Sequence, residues 1–153
     1  MSAQFELYID GACQGNPGEA SVGIVIYSQG KTIKTISKPI GQATNNIAEY
    51  SALIFGLQEA LILKAEKIKV STDSELLFRQ LKGDYKIKNP NLKFLNVFIQ
   101  HLCEGFKKID FCHIPRSQNR EADQLATKAL KKEQTKMVAP MFTMGEESPS
   151  SKG

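Results

Sequence analysis

The hydrophobic period of this chain first changes at Ile47. Before it, apolar residues alternate as on strands with one covered face, over Gln4 to Ile9, Val22 to Tyr27 and Thr32 to Ile40. After it, Ile47, Tyr50, Ile54, Leu57 and Leu61 recur at helical spacing, which predicts one long helix over 46–63. Three short-linked strands followed by single strands set between helices can bury their apolar faces only as a mixed sheet with helices packed on it. The link Ser28-Gln29-Gly30-Lys31 suits a hairpin, so the first strands pair antiparallel. Strands reached through helices run parallel to the first.

The rest of the chain fills in that plan. Lys67 to Ser71 reads as a fourth strand ending at Thr72-Asp73-Ser74, with a short helix following to about Leu81. Lys82 to Asn89 is a lysine-rich connection, and Asn89-Pro90 opens a helix striped by Leu92, Leu95, Ile99, Leu102 and Phe106. Ile109 to Ile114 is a fifth strand stopped by Pro115, and Asn119 to about Lys132 is the last helix. Gln14-Gly15-Asn16-Pro17-Gly18 is expected to be turn rather than strand interior. The expected fold class is therefore α/β, a five-stranded mixed sheet (three antiparallel strands plus two parallel) with helices on both faces. One domain over residues 1–136 is expected, with a flexible C-terminal tail over 137–153.

Composition narrows the function. With 41% hydrophobic and 24% charged residues, the chain is neither low-complexity nor disordered in bulk. Three cysteines at unrelated spacings, Cys13, Cys103 and Cys112, suit neither a disulfide framework nor a structural zinc site. The start MSAQFELYID resembles no signal peptide, and no apolar run approaches a membrane span, so a soluble, cytoplasmic protein is expected. Residues 1–60 carry three lysines against five acids, a net −2, whereas residues 61–136 carry sixteen Lys plus Arg against nine acids, a net +7. A basic second half suggests a polyanionic partner, although lysine-rich helix faces also serve solubility alone.

Four carboxylates stand out by position. Asp10 closes the first strand, Asp73 closes the fourth, and neighbouring parallel strands bring their ends to one edge, where open α/β sheets bind ligands. Glu49 sits on the helical line of Leu53 and Ala60, toward the buried stripe, although Asn46-x-x-Glu49 also reads as a capping box. Asp123 falls in line with Ala126 and Leu130 on the apolar face of the last helix, a costly place for an unpaired charge. Two carboxylates about 4 Å apart repel by about 4 kcal/mol at an effective dielectric near 20, so such a cluster implies cations. Oxygen ligands without His or Cys favour Mg²⁺ or Mn²⁺ over zinc.

At these residues the chain resembles the type 1 ribonuclease H family. The likeness covers residues 4 to about 132 and rests on four blocks in order: Tyr8 to Gly18 (YIDGACQGNPG), Thr44 to Tyr50 (TNNIAEY), Ser71 to Ser74 (STDS) and Pro115 to Ala126 (PRSQNREADQLA). The resemblance implies a monomeric endonuclease that cuts the RNA strand of RNA–DNA hybrids, leaving 5′-phosphate and 3′-hydroxyl ends. It implies that Asp10, Glu49, Asp73 and Asp123 hold two Mg²⁺ ions, replaceable by Mn²⁺, one generating hydroxide from water and one stabilising the leaving oxygen. It further implies that Gly11, Cys13, Asn16, Thr44, Asn45, Asn46 and Ser74 contact the hybrid, where 2′-hydroxyls mark the RNA strand.

Two departures from the family pattern bear on mechanism. Relatives carry a histidine on a loop before the last helix, but His113 here belongs by pattern to the fifth strand, and Arg116 on a shortened loop is the better-placed auxiliary group. Relatives with a basic helical protrusion carry a tryptophan in it. This chain has none, and over residues 82–93 it offers Lys82, Lys86, Lys88 and Lys93 against Asp84, with Tyr85 available to stack. The alternative reading is a catalytically silent nucleic-acid-binding module of the same fold.

Overall fold

Three strands joined by two-residue turns open the chain: β1 (Gln4–Gly15), β2 (Gly18–Ser28) and β3 (Lys31–Ala43). The computed structural model describes residues 4–136, and the expected tail over 137–153 lies outside the described residues. After the strands come α1 (Asn45–Ile62), β4 (Lys67–Thr72), α2 (Glu75–Leu81), α3 (Pro90–Cys103), β5 (Lys108–His113) and α4 (Arg120–Lys136), with a short 3₁₀ turn at Arg116–Gln118. The sheet order is β3-β2-β1-β4-β5, antiparallel through β3-β2-β1 and parallel through β1-β4-β5. This is the mixed sheet expected from the change in period.

β1 and β2 run further than their alternating residues suggest. Pairing continues from Asp10↔Gly23 to Gly15↔Gly18, leaving only Asn16 and the cis-linked Pro17 as the turn. Gly11 to Gln14 carry no large apolar side chain, so the hydrophobic pattern is silent there and main-chain pairing alone defines the strand. Gly15 supplies the positive φ (90°) that the tight turn requires.

The two faces of the sheet take different helices. Leu7 and Ile9 point to α1, which is buried nearly all round at Tyr50, Leu53, Leu57 and Ala60 because α3 covers its outer side. The alternate residues of β1 and β2 face α4, where Ala122, Ala126 and Ala129 are fully buried. Small residues let that helix lie close. Ser21 Oγ donates to the Ala126 carbonyl at 2.5 Å and Ser37 Oγ to that of Leu125 at 2.6 Å. α3 begins as its sequence suggests, with Asn89 Oδ1 accepting from the N–H groups of Asn91 (2.8 Å) and Leu92 (3.1 Å) and Pro90 at the first position.

Gly23 of β2 lies directly against the main chain of α4. A Cβ there would lie 2.1 Å from the Ala122 carbonyl oxygen and 2.5 Å from the Ala126 nitrogen, both main-chain atoms that cannot turn aside. Gly23→Ala should therefore destabilise the protein by about 3 kcal/mol, at the upper end for overpacking. Urea unfolding measures it. A cost below about 1 kcal/mol would mean that α4 does not approach β2 this closely.

Candidate active site

The register of β1 against β4 ends at Ile9 beside Thr72, so the next residues, Asp10 on the continuing β1 and Asp73 just past β4, stand side by side at the C-terminal end of β4. Glu49 joins them from the second turn of α1. One carboxylate oxygen from each of Asp10, Glu49 and Asp73 lies within 4.8 Å of the others. None of the three is used to cap a helix. α1 is capped by Thr44, whose Oγ1 accepts from the Ile47 N–H at 3.2 Å, and α2 by Ser74, whose Oγ accepts from the Leu77 N–H at 3.2 Å. Glu49 instead accepts from the Gly11 N–H at 3.0 Å. The capping-box alternative for Asn46 and Glu49 is thus not taken up.

Glycine at position 11 makes that bond possible. A Cβ there would come within 2.6 Å of main-chain atoms of Ala48 and Glu49, so only a bare backbone admits the start of α1.

Concentrating negative charge at a buried edge alters its titration. Asp10 is buried, and burial first, then the charges of Glu49 and Asp73, push its carboxyl up to about 9. Glu49 is pushed up to about 8, chiefly by burial and next by Asp73, while the Gly11 N–H and the Arg116 guanidinium pull the other way. An array of hard oxygen donors with no nitrogen or sulfur among them fits a hard divalent cation, which would replace the protons that these groups retain.

Asp123 stands at the side of this group. It lies outside the three-oxygen cluster but near enough to Asp10 to add to the rise of that carboxyl, and Arg116 Nη2 lies 3.5 Å from its Oδ1. Its side chain is 33% exposed, so the cost expected of a core-facing charge is reduced by solvent and by that arginine. Arg116 is itself 81% exposed and reaches the site from the 3₁₀ turn. His113 pairs in register with Thr72 on β5, one strand from Asp73, and its ring stacks on Phe78 with centroids 5.7 Å apart. The structure thus brings Arg116, and not the His113 ring, into contact with a carboxylate of the site.

Asn119 is a site residue that sequence reasoning missed. It is buried, and its Nδ2 donates to the Ile9 carbonyl at 2.8 Å and reaches Asp73 Oδ2 at 3.4 Å. One amide therefore ties the middle of β1, beside Asp10, to the carboxylate just past β4. The only sequence signal was its place one step before α4, where an asparagine reads as a cap.

The residues expected at a nucleic-acid surface lie on β1 (Gly11, Cys13), in the β1–β2 turn (Asn16) and at the start of α1 (Thr44, Asn45, Asn46), with Ser74 at the head of α2. Asn16 Oδ1 accepts from the Asn45 N–H at 2.9 Å, joining the two segments, and Asn16, Asn45 and Asn46 are exposed. The half-buried Cys13 thiol donates to the Ala43 carbonyl at 3.0 Å. Gly11 is held to Glu49, and Thr44 and Ser74 have the cap bonds described above.

Comparison with known proteins places this geometry. Residues 8–129 match the reverse transcriptase-like family. A protein described as bifunctional from Mycobacterium tuberculosis is 40% identical over 149 residues, 94% of this chain and 41% of its own length. Ribonuclease HI of Halobacterium salinarum is 41% identical over 124 residues, 80% of this chain and 62% of its own length. The chain thus spans less than two thirds of either relative. The crystal structure of the Halobacterium ribonuclease H1 superposes with a TM-score of 0.83 at 39% identity, covering 84% of this chain and 98% of that one. LC11 ribonuclease H1, isolated from compost and solved with an RNA/DNA hybrid, gives 0.80 at 39% identity, covering 85% and 99%.

Two outcomes follow from the site. In the unfolded chain Asp10 and Glu49 titrate near 3.8 and 4.5, and in the fold near 9 and 8. Between those limits the folded state retains protons that the unfolded state has released, so stability in chelator is fullest below about pH 4 to 5 on this account and declines toward about pH 9. Asp10→Asn should flatten the slope and be more stable than the parent at about pH 8. Denaturant unfolding across pH reads it, and a parent whose stability rises over that range would contradict the buried carboxyls. Asn119→Ala should cost about 1–3 kcal/mol for a lost buried hydrogen bond. It should also weaken divalent-metal binding by roughly tenfold in calorimetry, because Asp73 loses the donor that orients it. Unchanged metal affinity would confine Asn119 to a purely structural role.

Proposed function

The chain belongs to the ribonuclease H family of reverse transcriptase-like domains, and from that premise we propose that it hydrolyses the RNA strand of RNA–DNA hybrids to 5′-phosphate and 3′-hydroxyl ends. The observation that carries the reading is the trio of carboxylate oxygens from Asp10, Glu49 and Asp73 within 4.8 Å of one another at the C-terminal edge of parallel strands. Those residues, with Asp123 beside them, would hold two Mg²⁺ ions, or Mn²⁺ in their place. Bound there, the ions supply a nucleophile from water and stabilise the leaving 3′ oxygen.

The chain's own residues do the positioning. The Gly11 N–H fixes the Glu49 carboxylate, and Asn119 fixes that of Asp73. Asp10, buried between them, contributes a carboxyl whose ionised form a dication would stabilise against the burial and neighbouring charge that raise it. Arg116, exposed and beside Asp123, presents a positive charge at the rim that suits a scissile phosphate.

Hybrid recognition fits the Asn16–Asn45 junction with Asn46, Thr44, Cys13 and Gly11 on the segments that meet there and Ser74 at the head of α2, where amides and main-chain groups can read 2′-hydroxyls. A DNA-strand contact fits the basic connection after α2. There Asp84 pairs with Arg79 at 3.0 Å, so it does not neutralise Lys82, Lys86, Lys88 or Lys93 as its place in the sequence suggested. The connection itself is residues 82–89, and Lys93 stands in the first turn of α3. The same reading makes the protein a monomer of the cytoplasm, which suits three cysteines with free thiols.

Asp10→Asn, Glu49→Gln and Asp73→Asn should each reduce hybrid cleavage in Mg²⁺ by about a thousandfold or more while cooperative melting is retained. Asp123→Asn should lose about a hundredfold and recover partly in Mn²⁺, the tighter-binding ion. The assay sets labelled RNA–DNA hybrid beside duplex RNA and duplex DNA. Equal cutting of all three substrates would overturn the proposed specificity, and near-normal turnover in any of the first three variants would remove that residue from the site.

A further inference from the structure

The lysine-rich connection over 82–89 is folded back on α2. The Gly83 N–H donates to the Gln80 carbonyl at 3.2 Å, and those of Asp84 and Tyr85 donate to the Arg79 carbonyl at 2.8 and 3.2 Å. Further on, Ile87 packs against the core and Asn89 caps α3. Lys82, Lys86 and Lys88 are exposed, and none has a carboxylate within ion-pairing distance among the described residues. Between the folded start and the anchored end, one side chain of α2 holds the main chain. Gln80 Nε2 donates to the Lys86 carbonyl at 3.2 Å.

The other end of that amide reaches the core. Gln80 Oε1 accepts from the hydroxyl of Tyr50, a buried residue of α1. A phenylalanine ring would fill the same space, so what the hydroxyl adds is this bond. Burial pushes it up to about 12, which keeps it a donor at neutral pH. The amide has one workable orientation. Turned over, its oxygen would face the Lys86 carbonyl, acceptor against acceptor. Tyr50 directly follows Glu49 on α1, and α2 begins two residues after Asp73. The helix that carries Glu49 and the helix that Asp73 leads into are thus joined at Gln80, and through it to Lys86.

We propose that Gln80, anchored by Tyr50, is a positioning residue for the DNA strand: it sets where the lysines of the connection stand relative to the carboxylates. This rests on the reading of the connection as a DNA-strand contact. A lysine reaches a phosphate as a point charge on a flexible stem, so the main chain that carries it decides where that charge is offered. With the Lys86 carbonyl held, a phosphate met by Lys86 or Lys88 fixes the register of the duplex over Asp10, Glu49 and Asp73. Without the amide the charges remain, but their carrier has to be ordered on binding, which costs affinity.

The test uses Gln80→Met, which keeps the length of the side chain and loses both bonds, and Tyr50→Phe, which loses only the anchor. Neither changes net charge. In hybrid cleavage, Gln80→Met should raise KM by about fivefold with kcat within about twofold of the parent, and Tyr50→Phe should raise KM by about twofold. Binding of a labelled RNA–DNA hybrid, followed by fluorescence anisotropy in the Asp10→Asn protein, should weaken by the same factors. Its dependence on salt should fall by about one phosphate contact in Gln80→Met. In a protein that also carries Lys86→Ala and Lys88→Ala, Gln80→Met should add less than about 1.5-fold, because the charges it places are gone. Unchanged affinity and salt dependence in a folded Gln80→Met protein would overturn the proposal, whatever the change in melting temperature. So would a full fivefold loss in the lysine-free background, or a fall in kcat at constant KM, which would tie Gln80 to Glu49 instead. The anisotropy arm needs no cleavage, so it decides this proposal even where the parent binds hybrid without cutting it.

Discussion

The parallel pairing of β1 with β4 is what the active edge depends on. Ile9 lies beside Thr72, and the next residue on each strand is an aspartate, so both carboxylates emerge at the same end of the sheet. Antiparallel pairing would send them to opposite ends. Each pair of charges at such spacing costs about 4 kcal/mol at an intermediate dielectric. Leu7, Ile9 and Val70 are fully buried immediately behind them, and their burial fixes the strand ends where repulsion alone would part them. The protein thus uses core packing to concentrate charge, and the high titration of Asp10 and Glu49 is the consequence that remains.

Close approach by α1 completes the arrangement. The bare backbone of Gly11 lets Ala48 and Glu49 come within van der Waals distance of β1, and its N–H then directs the Glu49 carboxylate inward. Capping works to the same end. Thr44 and Ser74 meet the open N–H groups of α1 and α2. Glu49 and Asp73 are thereby free for the site, although each stands near a helix start where an acidic cap would be ordinary.

The element order and the mixed sheet were legible because they rest on hydrophobic period, which Ile47 to Leu61 and the alternating strands state openly. The juxtaposition of Asp10 and Asp73 was legible because parallel neighbours bring corresponding positions together, although Asp10 lies within β1 and not at its end as its place before Gly11 suggested. Glu49 was ambiguous in sequence because a capping box and a buried ligand use the same spacing, and only the position of Gly11 decides between them. Asn119 was hidden for a different reason. Its role comes from contacts with Ile9 and Asp73, 110 and 46 residues away in sequence, and nothing local to Gln118-Asn119-Arg120 announces them. The length of β1 beyond Asp10 escaped similarly, since it is set by main-chain pairing among small residues.

A carboxylate cluster cannot by itself attract a nucleic acid, because until cations neutralise it the site repels phosphate. Attraction has to come from elsewhere on the surface, and the charge of the chain is distributed accordingly. Asp73 leads straight into α2, and the lysines that follow α2 keep their charge because Asp84 is taken by Arg79. Lysines on a short connection act as point charges rather than as a shaped groove, so they supply affinity by counterion release and carry little selectivity. On the proposed function, discrimination between RNA and DNA strands would fall to the β1–β2 turn, where Asn16 is bonded to the start of α1 and Asn45 and Asn46 stand exposed. That junction is held by the same hairpin whose strand carries Asp10. The turn that carries Asn16 directly continues the strand that carries Asp10, so β1 would tie the geometry of recognition to that of cleavage.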